Sequence, residues 1–154
     1  MDPEQPAPDQ GLEVVALHRA ELRGSMDALE RALAASAPGR AGAWAEHVRM
    51  ALLELSADFR VHIEITEGPD GLHHAVMTTA PRLTNAVQRL GREHVLLQGL
   101  IDELLVLVSG PTPEDDVRTA RERGTALLAQ LARHRQRGAD LVFEAYQTDI
   151  GGES

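Results

Sequence analysis

Apolar positions recur at helical spacing along four long stretches of the chain. In the first, Val15, His18, Leu22, Ser25, Leu29 and Ala32 follow one another at three- and four-residue steps. The stretch opens at Gly11, and "APGRAG" at 37–42 breaks it. The second runs from about Ala43 to Glu67 with Trp44, Val48, Ala51, Leu55, Phe59 and His62 on one stripe, and "GPDG" at 68–71 stops it. A short irregular or helical piece at 72–80 follows.

Pro81 suits the first turn of the third long helix, because its missing N–H and fixed φ cost nothing there. The stripe of that helix is the most regular of the four: Leu83, Val87, Leu90, His94, Leu97, Ile101, Leu104 and Val108. "SGPTPEDD" at 109–116 ends it and starts the fourth, with Thr112 as N-cap, Pro113 as first helical residue, and Glu114, Asp115 and Asp116 complementing the helix dipole. The fourth stripe reads Val117, Ala120, Gly124, Leu127, Leu131, His134, Gly138 and Leu141. No stretch alternates as a strand would. Four amphipathic helices with short links predict an all-α fold, an antiparallel up-down four-helix bundle.

Length fits one domain: 154 residues can bury roughly 70% of their unfolded surface around a single core. Residues 1–10 hold three prolines and three acidic residues among few apolar ones, the composition of a disordered tail. The bundle is expected over 11–148, and "GGES" leaves 149–154 as a flexible C-terminus.

Charge and composition narrow the chemistry. A net charge of −9, from 24 acidic and 15 basic residues, argues against nucleic acid or an anionic membrane as partner. Without cysteine there is no disulfide, thiolate zinc site or iron–sulfur cluster, so a metal must be held by nitrogen and oxygen. The acidic N-terminus is no secretory signal, and the apolar run near 104–108 is far short of the ~20 residues of a membrane span. The expectation is a cytoplasmic protein.

Four of the seven histidines, His18, His62, His94 and His134, fall on the apolar stripes, one per predicted long helix. Only about two positions in seven belong to a strict seam, so a histidine in every seam points to a shared purpose. Neutral imidazoles together with carboxylate oxygens suit iron, manganese, zinc or copper, and bundle interiors are a common place to gather them. Glu67, closing the second helix five residues after His62, is the carboxylate best placed to join. Glu93 reads as a surface group or a support for the ligands, and Asp140, Glu144 and Asp149 as solvated charges. His47, His73 and His74 are expected at the surface, and Trp44, Phe59, Phe143 and Tyr146 as packing.

"LHRAEL", "FRVHIEITE", "LGREHVLL" and "LLAQLARHRQRG", in this order on successive helices, resemble the hemerythrin-like, or HHE cation-binding, domain over about residues 14–145. Each motif alone has low specificity, and their order carries more. The resemblance implies a four-helix bundle with a non-haem di-iron centre, held by histidines from all four helices and by carboxylates that often bridge the irons. It also implies handling of oxygen, nitric oxide, iron or redox equivalents. The matching ligands are His18, His62, His94 and His134, with Glu67 as carboxylate. The chain departs from the family where a glutamate commonly follows the histidine by four residues: Thr66 and Gly138 stand there. Gln98 and Leu90 occupy the flanking places on the third helix. A di-iron site, a mononuclear site and a degenerate bundle remain open at this point. Gly138 could also leave room beside His134 for an exogenous ligand or water.

The expected function is thus a metal-binding protein, a sensor or carrier of a small diatomic ligand, oxygen or nitric oxide, and not a committed enzyme. No nucleophile elbow, phosphate loop or pair of interior carboxylates points to hydrolysis. The alternative is a metal-free helical bundle serving as a protein interaction module, its histidines packed as neutral groups. The two differ over whether the imidazoles converge.

Overall fold

The computed structural model describes residues 8–111 and 114–148, and the side chains of 15–111 and 114–147. All regular structure among them is helical: α1 (Pro8–Ala34), α2 (Ala41–Glu67), a short α3 (Leu72–Thr79), α4 (Thr84–Ser109) and α5 (Glu114–Phe143). A 3₁₀ turn at Pro81–Leu83 leads into α4, and a π-helical turn at Glu144–Thr148 follows α5. The four long helices match the four stripes. Helix α1 begins at Pro8, ahead of Gly11, because a proline is tolerated in a first turn. The expected caps Thr112 and Pro113 lie outside the described residues, as do 1–7 and 149–154 of the two tails.

Two turns depend on glycine. Gly39 lies at φ +69, left-handed backbone that a Cβ disfavours, and lets the chain reverse between α1 and α2. A Cβ on Gly71 would meet the carbonyl oxygens of Thr66 at 2.6 Å and of Gly68 and Ile65 at 2.8 Å, so only glycine fits the turn between α2 and α3.

Helix α1 packs against α2 and α5, and α4 packs against the same two, closing a ring of four. This arrangement is compatible with a four-helix bundle. Leu29, Val48, Leu52, Leu55, Ile101, Ala120 and Leu131 are fully buried at its centre. Arg121 ties one end together: its Nε donates to Leu33 O at 2.9 Å and its NH2 to Ala35 O at 2.6 Å, satisfying carbonyls that the end of α1 leaves free. The same guanidinium stands 5.3 Å from the centre of the Trp44 ring.

The apolar interior falls into two clusters. The larger holds Leu22, Leu29, Phe59, Leu97, Ile101, Leu127 and Leu131; the smaller holds Val76, Ala80, Leu83, Val87, Leu90, Leu141 and Ala145. Along α4, His94 stands between Leu90 of one and Leu97 of the other, and along α5, His134 stands between Leu131 and Leu141. A layer of imidazoles therefore separates two greasy layers. Among the described residues no helix is long and apolar enough to cross a membrane.

Candidate metal centre

The helical period places one imidazole in that layer from each of α2, α4 and α5. His62, His94 and His134 each offer a ligand nitrogen, and these nitrogens all lie within 4.8 Å of one another. His62 Nε2 and His134 Nε2 are 3.3 Å apart. Two imidazoles on one ion, each at about 2.0–2.1 Å and tetrahedrally disposed, would hold their nitrogens about 3.4 Å apart. The spacing of this pair fits one metal ion.

Two carboxylates hold the rings from behind. Glu93 Oε1 lies 2.9 Å from His134 Nδ1, while its Oε2 accepts a 2.8 Å hydrogen bond from Arg137. With Nδ1–H donating to Glu93, His134 keeps an unprotonated Nε2 toward His62. A carboxylate on the far nitrogen of a ligating histidine fixes the tautomer in this way and raises its basicity. Burial pushes the Glu93 carboxyl up, but the hydrogen bonds from His134 and Arg137 outweigh it and leave it below the usual range.

Glu67 takes the corresponding place at His94, with Oε2 3.2 Å from Nδ1. That contact is not aligned as a hydrogen bond, so both ring nitrogens of His94 are buried without a hydrogen-bond partner. His94 is 1% exposed. A neutral imidazole carries one donor and one acceptor, and leaving them unmatched inside a core is costly unless something else binds there. Glu67 can approach this closely because residue 91 is glycine: a Cβ there would lie 2.8 Å from Glu67 Oε1.

Phe59 shapes the apolar side of the layer. Its ring stacks on His62 at 5.6 Å and meets His94 and His134 edge-on at 5.8 and 6.2 Å. Burial first, and then the neighbouring imidazoles His94 and His134, lower the pKa of His62 to about 3. Burial likewise lowers His94 to about 4, against the opposing pull of Glu67. Both rings are neutral at pH 7, the state a metal requires.

The fourth expected histidine is placed differently. His18 lines a cavity shared with His62 and His134, but lies outside the set of converging nitrogens, and its Nδ1 pairs with Glu21 at 3.3 Å. Glu67 lies against Nδ1 of His94, as a support and not among the converging ligand atoms. Thr66 spends its hydroxyl on its own helix, donating to His62 O at 2.9 Å, and Gly138 faces open space. No carboxylate joins the cluster among the described residues. The clustered donors are three imidazole nitrogens, and among the described residues no carboxylate stands with them to bridge two ions.

His73, expected at the surface, is instead buried and stacked on His94 with ring centroids 5.6 Å apart and planes within 5°. The reason is α3. The helix at 72–79 and its cap Ala80 put His73, Val76 and Ala80 on one buried face, at the three- and four-residue spacing of a helix. His47 and His74 are exposed as expected. Asp140 accepts a hydrogen bond from Gln136 at 2.8 Å and Glu144 one from Arg82 at 3.0 Å, both away from the cluster; Asp149 lies outside the described residues.

Compared with models of known protein families, with curated proteins and with solved structures, the chain matches none significantly.

Proposed function

We propose that the chain is a metal-binding protein of the hemerythrin-like kind, an antiparallel up-down bundle that holds one non-haem iron ion through His62, His94 and His134. The observation that carries this reading is the convergence of three neutral imidazoles, from three separate helices, in a layer between two apolar clusters. Nitrogen donors without thiolate suit iron, zinc, copper or nickel; the order of the helix motifs favours iron among them. Short connections at 35–40 and 110–113 support antiparallel neighbours.

Glu93 and Glu67 orient His134 and His94, Phe59 excludes water from one side, and the cavity beside His62 and His134 leaves the other side approachable. Bound iron would supply one-electron redox chemistry and a coordination position for a small diatomic ligand, oxygen or nitric oxide. Sensing or carrying such a ligand in the cytoplasm is the role this arrangement suits best.

Metal analysis of protein grown with iron supplementation tests the reading. About one iron per chain, lost on replacing His62 or His134 by alanine, is the expected result for a site closed by three ligands. Protein that stays metal-free after incubation with Fe(II), and whose ultraviolet–visible spectrum is unchanged under air and under reductant, would overturn it.

A further inference from the structure

The histidine layer opens on one side into a cavity of about 370 Å³ between α1, α2, α3 and α5, with Leu90 of α4 at its wall. Its walls are largely aliphatic, from Leu22, Ile65, Val76, Leu90 and Leu141. Its α1–α5 edge is different: Arg19, Arg23 and Arg135 line the cavity there, on a chain whose net charge is −9. Arg135 is half-buried and spends its guanidinium on Arg19 O at 3.5 Å and Met26 Sδ at 3.9 Å. Among the described side chains no carboxylate lies within ion-pair distance of any of the three. Burial, and then the charges of Arg19 and Arg23, push Arg135 below its usual pKa, with Asp27 only partly opposing. The three cationic side chains thus share one edge of the cavity, and Asp27 offsets their charge only in part.

We propose that this cavity binds a small carboxylate with an apolar body, its tail among the aliphatic side chains and its head on Arg135 and its two neighbours. The volume is at the lower end of the range of about 300–1,000 Å³ for small-molecule sites, which fits a short chain or a single ring. A guanidinium matches a carboxylate in a planar, two-pronged fashion that a lone ammonium cannot. Gly138 keeps the space open, since a Cβ there meets nothing within 4 Å. The site shares the cavity through which the proposed iron ion would be reached, but needs no metal itself, so it is tested on metal-free protein.

Calorimetric titration of the full chain, stripped of metal with a chelator, tests the proposal with octanoate, octan-1-ol and inorganic phosphate as probes. Octanoate is expected to bind at one per chain, and octanol and phosphate each at least about tenfold more weakly, since the head needs the charge and the tail the walls. R135Q should lower octanoate affinity about tenfold and leave octanol unchanged; R19Q, on an exposed residue, gives the same comparison without touching the core. G138L should weaken octanoate by filling the space. Equal binding of octanol, equal binding of phosphate, indifference to R135Q and R19Q, indifference to G138L, or no heat with any probe would each overturn the proposal.

Discussion

Replacing His94 by leucine separates a metal ligand from a packed core histidine by sign. In the metal-free chain both ring nitrogens are buried and unmatched, and an unsatisfied buried polar group costs about 1–3 kcal/mol. The 3.2 Å approach of Glu67 recovers part of this electrostatically. Leucine removes the cost at similar volume, but forfeits ring contacts to Phe59, His62, His73 and His134 at 4.8–5.8 Å, each worth about 0.5–1.5 kcal/mol at most. Two unmatched nitrogens come to about 2–6 kcal/mol, and leucine's own buried dispersion contacts replace most of the lost ring contacts, so the balance is a stabilisation of about 1 kcal/mol, or about 2–4 °C in Tm for a chain of this size. With metal at a hundredfold excess over Kd, the wild type gains about 2.7 kcal/mol that the variant lacks, so the order reverses. Scanning calorimetry of both proteins with chelator and with Fe(II) measures the crossing. A variant less stable than wild type in chelator would refute the claim that His94 is strained without a ligand. An equal rise of both proteins with metal would refute its role in binding.

Three further outcomes follow from the same geometry. His62 at about 3 and His94 at about 4 sit below the unfolded value of 6.5, so the unfolded chain takes up protons that the folded one refuses. Metal-free stability should be level above pH 7 and fall by up to about 6 kcal/mol as pH drops from 6.5 toward 4, read by urea unfolding; the lowered Glu93 carboxyl adds a loss of the same sign at the acid end. Gly91→Ala should gain up to about 1 kcal/mol of helix stability while pushing Glu67 away from His94, so metal affinity should drop by about tenfold or more, a split visible in paired thermal and metal-titration measurements. Gly138→Ala, facing open space, should stabilise by about 0.5–1 kcal/mol, whereas Gly124→Ala would place a Cβ 2.5 Å from Leu33 Cδ1 and should destabilise by about 1 kcal/mol net of the helix gain; guanidinium melts of the two variants make the comparison.

Periodicity alone was enough to define the four long helices and their buried faces. A side chain every three or four residues must face the same way on a helix, and a helix in water must hide an apolar face. That rule places His62, His94 and His134 on the inward faces of their helices, and the turn residues around Gly39 and Gly71 mark where the chain must bend. What one-dimensional pattern does not carry is height along the bundle and rotation between helices. Packing decided that His62 meets His94 and His134, while His18, on an equally good stripe, stands off on a cavity wall and pairs with Glu21. Packing also turned α3 inward and buried His73, because a short helix between two long ones takes its orientation from what it covers. The carboxylates divide on the same ground: Glu67 and Glu93 became supports for His94 and His134 only through contacts between helices, set by the glycine at 91 and the reach of Arg137. Local sequence decides which side chains leave water; the fit of one helix on another decides which of them meet.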